Sequence, residues 1–292
     1  MGEARQPPDN IGSYEVRRFP AFRTPTVDTV DLGKKRHHTH FLLEVDVTEA
    51  RARILEHKEK TAERISFTGW VIACIGKVVS EHKHVHALRK GRRRLVVFDD
   101  VDVAIVVERS VEDPTHPSES LPMPYLVRRA NEKTVREIHS EIRMAQEASL
   151  TPGEVQLGSR LDPRIEKAFT MLPQFLRKLL VWRRLLRNPF LAKKSMGTVV
   201  VTSVGSIGGS SGYVWPIPIG IQPLIFGLGS IARKPGLVGD EIAAREYLSM
   251  TVLFDHDVTD GAPVVRFLEC LKDLLEREYG LDEALTSSRA AA

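Results

Sequence analysis

Apolar and polar positions divide the chain into interleaved strands and helices. Residues 40–48, HFLLEVDVT, are apolar and β-branched and predict a strand. Thr48 is placed to cap a charged, weakly amphipathic helix, TEARARILEHKEKTAE, with Ala52, Leu55 and Ala62 on its apolar side. The next helix, SFTGWVIACIGKVVSEH, starts at Ser66 and is apolar on almost every face, so it is expected to be buried. Two strand-like runs, 94–98 and 101–107, flank Asp99 and Asp100. After the proline-rich loop DPTHPSESLPMP come the strand YLVRR and a polar helix over 134–148. GTVVVTSVG and QPLIFGLGSIA predict strands on either side of a glycine-rich loop, and EYLSMTVLFDH predicts another. APVVRFLECLKDLLEREYG closes the pattern as a helix with Pro263 in its first turn. Strict β-α alternation is missing and no repeat period appears, which favours one mixed α/β layered domain.

One stretch departs from its surroundings. Residues 158–194 combine aliphatic and aromatic side chains with Arg177, Lys178, Arg183, Arg184, Arg187, Lys193 and Lys194. From Pro173 to Arg187 the spacing predicts a basic amphipathic helix with Phe175, Leu176, Leu179, Trp182 and Leu186 on its apolar face. Docking on the domain with the basic face in water is the plain reading. Contact with a membrane surface, a partner or a phosphorylated ligand is the alternative. The expected organisation is an N-terminal extension over 1–30, a domain over 31–285 carrying this insertion at about 158–194, and a disordered tail over 286–292.

Charge and cysteine content narrow the functional classes. The 42 Lys+Arg against 38 Asp+Glu leave a mild +4, which requires no nucleic-acid partner. Cys74 and Cys270 sit in apolar runs with no C-x-x-C spacing, so neither a disulfide framework nor a zinc ribbon is expected. The start lacks a signal-peptide core, and no apolar run reaches the roughly 18 residues that span a bilayer. A soluble, cytoplasmic protein is expected. The histidines at 37–40 and 82–86 alternate in ways that can share a face, yet no Cys or Glu set accompanies them, and no metal is expected. GSIGGSSG at 205–212 lacks the G-K-[ST] of a P-loop and reads as a flexible channel wall.

The stretch FDHDVTDGAP at 254–263 holds the chemistry of interest. His256 follows an apolar strand and precedes an Asp-Gly step into a helix, a junction that can present a side chain rigidly. Gly261 would allow a tight approach, and Asp260 can accept from free N–H groups at the helix start or pair with an arginine. Such a histidine can act as a general base, or it can be an ordinary strand-end residue.

Beyond those residues, HDVTDGAPVVRFLECLKDLLE resembles the H-x-x-x-D-G signature and following helix of the chloramphenicol acetyltransferase-like superfamily. It is most similar to the catalytic domain of the dihydrolipoamide acyltransferases of 2-oxoacid dehydrogenase complexes. The segments HTHFLLEVDVTEARARI, ISFTGWVIACIGKVVSEH, DVDVAIVVE, TVREIHSEIRMAQEASLTPGEV, GTVVVTSVGSIGG and PIPIGIQPLIFGLGSIARKPG resemble successive elements of that domain, from about residue 36 to 280. The resemblance implies an α/β fold with a two-layer mixed sheet and helices. It also implies a homotrimer whose active sites lie between subunits, and CoA as cosubstrate. His256 would be the general base, and Thr202 would stabilise the tetrahedral oxyanion with Ser203 as a second donor. Asp260 would pin the turn through an arginine, for which Arg36 is the candidate, with Gly261 in support.

Three departures qualify what the resemblance implies. The chain has no D-K-A lysine hairpin of a lipoyl domain and no subunit-binding domain, so the acceptor would be a lipoyl group on a separate protein, or another thiol, amine or alcohol. Asp257 stands where the family has arginine, at a position for substrate contact or inter-subunit pairing. LDEALTSSRAAA replaces the apolar tip that joins trimers into cubic cores, so a free trimer is expected. The competing reading is a non-catalytic trimeric scaffold that docks partners or a membrane through its basic helix.

Overall fold

A computed structural model of the chain describes residues 12–16, 19, 23–110, 120–147, 169, 171–204 and 213–286. In chain order its elements are α1 (Thr24–Gly33), β1 (His38–Asp46), α2 (Thr48–Thr61), α3 (Phe67–Glu81), β2 (Leu88–Lys90), β3 (Arg94–Val96), β4 (Val103–Ser110), β5 (Ser120–Val127) and α4 (Val135–Glu147). Then follow α5 (residues 174–187), α6 (Pro189–Met196), β6 (Val199–Ser203), β7 (Leu224–Val238), β8 (Glu241–Asp255), α7 (Gly261–Glu276) and α8 (Leu281–Thr286). Helix α5 is one rod built of Gln174–Arg177, a π-helical Lys178–Trp182 and Arg183–Arg187. The glycine-rich segment 205–212 and the tail from 287 lie outside the described residues.

Six strands form one mixed sheet in the order β1-β8-β7-β6-β4-β5, while β2 and β3 make a separate hairpin. β6 runs parallel to both β4 and β7, and the remaining pairs are antiparallel. On one face α3 packs against α4 and α7. Trp70, Ile72 and Ile75 of α3 are buried with Phe226, Leu228, Phe254 and Phe267 in the main core. The Trp70 indole N–H donates to Tyr279 O at 2.9 Å, so even the large polar edge of this core is satisfied. Ser66 caps α3 as expected, accepting from Gly69 N–H at 3.1 Å.

The expected cap at Thr48 is realised differently. Asp46 accepts both the Thr48 N–H at 3.0 Å and its hydroxyl at 2.6 Å, and Thr48 Oγ1 accepts from Glu246 N–H. A carboxylate just before the helix suits its positive end better than a hydroxyl does.

The hairpin of β7 and β8 extends well beyond the sequence-based expectation, through ARKPGLVGDEIAARE. Beyond Leu228, β7 pairs with β8 alone, so Pro235 sits on an edge where its missing N–H costs no central ladder bond. On the sheet face opposite the helices, residues 213–218 cross β7. A Cβ at Gly229 would lie 1.9 Å from Val214 O, so only glycine admits this crossing.

Helix α5 forms where expected, and Trp182 and Leu186 of its expected apolar face pack inward, but Phe175 and Leu179 do not. Phe175 is 67% exposed and Leu179 49%, while Arg177 is buried beside Trp182 and Leu185. The Asp28 carboxylate of α1 accepts from Arg177 Nε at 2.7 Å, from Arg177 Nη2 at 3.0 Å and from Trp182 Nε1 at 3.0 Å. Burial raises the Asp28 pKa, but the bonds from Arg177 and Trp182 outweigh it and hold the carboxyl below its usual range. Helix α1 thus crosses the expected boundary at residue 30 and is riveted to the basic segment.

Candidate active site

His256 begins the turn that follows β8, an internal strand of the sheet, and leads into α7. Its N–H donates to His37 O at 2.9 Å, and Asp255 N–H donates to Pro223 O at 2.9 Å. The residue is exposed, so the imidazole is open to a ligand while its backbone is held. The buried Asp255 organises the turn. Its Oδ1 accepts from Asp257 N–H at 3.1 Å, its Oδ2 pairs with Arg36 at 3.3 Å, and its carbonyl receives Val258 and Thr259 N–H groups.

The pinning role expected of Asp260 and Arg36 is therefore corrected. Arg36 does reach this turn, but its acid is Asp255. Asp260 is exposed at the N-cap position of α7 without a side-chain capping bond. A Cβ at Gly261 would meet nothing within 4 Å, and its φ is not positive, so nothing inside this chain demands glycine there. A single acid inside the apolar run VLFDH was the available signal for Asp255, since a buried carboxylate requires partners.

Asp257 is paired with His37 and Arg89. His37 Nδ1 lies 3.0 Å from its Oδ1, and Arg89 Nη1 of β2 donates to Oδ2 at 3.0 Å. The His37 bond first, with the charges of His37 and Arg89, holds the Asp257 carboxyl below its usual range. His37 and Arg89 were not expected at the site; pairing of the β1 start with the β8 end, 219 residues apart by the His37 O bond, brings the former in. His38 Nε2 lies 2.9 Å from Gln222 O, and burial pushes its pKa down toward the neutral form.

Thr202 occupies the next-to-last position of β6 and is half-buried, while Ser203 is exposed. Gly197, at φ +68°, ends α6 two residues before this strand, where a Cβ would lie 2.6 Å from Asp102 O. Val199 and Val201 belong to the helix-side core, so Thr202 presents its side chain to the opposite face by strand alternation. Across the sheet Thr202 is level with Gly227 and, one strand further, with Thr251. His256 lies five residues beyond Thr251. Within one chain the structure keeps Thr202 and His256 apart.

Several histidines of the two clusters bond to protein groups. His86 is buried, with Nδ1 at 2.7 Å from Thr198 Oγ1 and Nε2 at 3.1 Å from Phe98 O. Among the described residues no three His, Cys, Asp or Glu side chains are grouped to hold a metal ion. Among the same residues no helix is long and apolar enough to cross a membrane.

Comparison with known proteins places this arrangement. Residues 187–281 match the model of the family described as 2-oxoacid dehydrogenases acyltransferase (catalytic domain). The dihydrolipoyllysine-residue acetyltransferase component of the Corynebacterium glutamicum pyruvate dehydrogenase complex is 38% identical over 86 residues, 28% of this chain and 12% of that relative. The lipoamide acyltransferase component of the Pseudomonas aeruginosa branched-chain alpha-keto acid dehydrogenase complex is 31% identical over 84 residues, 28% and 19% of the two chains. These matches span less than a fifth of the curated relatives' length.

Among solved structures, the dihydrolipoamide acetyltransferase of Azotobacter vinelandii superposes with a TM-score of 0.63 at 18% identity, covering 93% of this chain and 96% of the other. That structure belongs to an investigation of a serine, a histidine and an asparagine in its catalytic mechanism. A truncated catalytic core of the 2-oxoacid dehydrogenase multienzyme complex from Thermoplasma acidophilum gives 0.61 at 19% identity, covering 91% and 100%. The chain has the fold of these acyltransferase catalytic cores, and the segment of it that matches the family's sequence model contains both Thr202 and His256.

Proposed function

We propose that the protein is an acyltransferase that moves an acyl group between CoA and a thiol, the lipoyl group of a separate protein being the acceptor that the named relatives suggest. His256 removes the thiol proton, and the thiolate attacks the thioester carbonyl. The Thr202 hydroxyl donates to the tetrahedral oxyanion, with Ser203 beside it. Collapse expels the second thiolate, which takes back the proton from His256. The observation that carries this reading is the family match over 187–281, which spans both an exposed histidine on a backbone-anchored turn and a threonine hydroxyl late in β6. The Azotobacter relative adds support: its histidine and asparagine stand four residues apart, as His256 and Asp260 do.

The separation of Thr202 from His256 within one chain favours a site completed by a second copy, and hence a homotrimer with sites between subunits. Soluble, cytoplasmic action without a metal is part of the same reading. The test is release of CoA from short acyl-CoAs in the presence of dihydrolipoamide. His256→Ala should lower turnover by about 10²–10⁴-fold. Equal activity in the two proteins would sink the assignment.

A further inference from the structure

The hairpin of β2 and β3 carries Arg89, Lys90, Arg92, Arg93 and Arg94, all exposed. Gly91, at φ +67°, makes the turn between them. Lys90 stands directly opposite Arg94 in the ladder, a like-charge pairing that weakens a two-stranded ribbon. Among the described residues, Arg92, Arg93 and Arg94 make no ion pair or hydrogen bond through their side chains. A ribbon this short tolerates such crowding more readily when an anion lies against it.

The hairpin is held in place at its base. Arg89 pairs with Asp257, the residue after His256, and Lys90 lies over the Phe190 ring of α6 at 5.1 Å. Leu88 and Arg89 line a cleft together with Arg36, Met196 and Gln222, beside the Asp255 turn. The uncompensated arginines at the tip therefore have a defined position relative to His256. The tip lies three residues beyond Arg89, so roughly 10–20 Å separates it from His256 at the rise of an extended chain. An extended pantetheine arm, equivalent to about four residues, spans roughly 13–15 Å.

We propose that this hairpin is the polyphosphate clamp for the acyl-CoA. Arg92, Arg93 and Arg94 hold the phosphates by charge-assisted, forked hydrogen bonds while the pantetheine arm leads the thioester to His256. This assignment rests on the acyl-transfer reading above and identifies which part of the cosubstrate the hairpin recognises.

The test compares wild type with an Arg92→Gln/Arg93→Gln/Arg94→Gln variant of the full chain, using acetyl-CoA and acetyl-pantetheine, which lacks the phosphates. Unfolding curves confirm that the variant folds. The variant should raise KM for acetyl-CoA by roughly 10- to 100-fold with kcat unchanged, the pattern of lost uniform binding. Its kinetics with acetyl-pantetheine should equal those of wild type. Equal KM for acetyl-CoA in both proteins, with turnover intact, would overturn the clamp while leaving the acyltransferase standing. Calorimetric titration of CoA into His256→Ala, with and without the hairpin changes, separates the two ideas further. Loss of CoA binding only with the hairpin changes supports the clamp whatever the turnover. A wild-type protein that binds no CoA would defeat both. If the hairpin changes weaken binding to anionic vesicles or to an acidic acceptor protein but leave CoA binding alone, the clamp is also overturned.

Discussion

Mixing chains that carry His256→Ala with chains that carry Thr202→Ala should restore activity that neither has alone. Thr202 is level with Thr251 two strands away, and His256 lies five residues further along β8. At about 3.3 Å per residue and 4.8 Å per strand, that is roughly 16 Å along the sheet and 10 Å across it, or about 19 Å between α-carbons. A general base must come within about 3 Å of the thiol, and an oxyanion donor within about 3 Å of the developing charge. One chain cannot meet both conditions on one thioester. In a ring with a head-to-tail interface, each site would take its histidine from one subunit and its threonine from the next. In trimers selected to contain both chains, about one site in three has both native residues. Differently tagged chains would be co-expressed, the mixed oligomers purified through both tags, and acyl transfer from acetyl-CoA to dihydrolipoamide measured. The parents should fall about 10²-fold or more below wild type, and the mixture should recover a substantial fraction of wild-type turnover. A mixture no better than the mean of its parents would refute the split site.

Two predictions concern the scaffold around the site. Asp28→Asn should leave Arg177 buried without its counter-charge and cost about 3–5 kcal/mol in urea unfolding, because the burial penalty of the guanidinium persists after its partner is gone. Wild-type stability should also fall below about pH 7 through His86, whose pKa burial lowers to about 4. The folded pKa lies below the unfolded value near 6.5, so this contribution is complete above about pH 6.5 and is lost as pH falls toward 4. The loss is on the order of 3 kcal/mol, and His86→Gln should flatten that part of the stability-versus-pH curve.

Much of the secondary structure was legible in the chain because its signals are local. The Ser66 cap, the apolar run of α3 and the Pro263 start of α7 each act within a few residues. Legibility stopped where phase or partner depended on distant residues. In α5 the regular 3.6-residue period predicted Phe175 and Leu179 inside, but Asp28, 149 residues from Arg177, draws the guanidinium inward and turns that face of the helix to the protein instead. The far half of the β7–β8 hairpin was hidden because Arg233, Lys234, Pro235 and Gly236 read as loop; an edge position makes them acceptable in a strand.

By itself the sequence determined which residues could do chemistry here: a histidine at a strand-to-helix junction, a threonine late in a strand, and a mixed α/β succession to carry them. Their local identity follows from side-chain chemistry and the short-range rules of strands, caps and turns. Only the tertiary structure decided that Asp255 rather than Asp260 receives Arg36, that Asp257 ties His37 and the basic hairpin to the histidine's turn, and that Thr202 lies far along the sheet from its own His256. Those outcomes depend on strand order and register, which pair residues about 200 positions apart and leave no mark on local pattern.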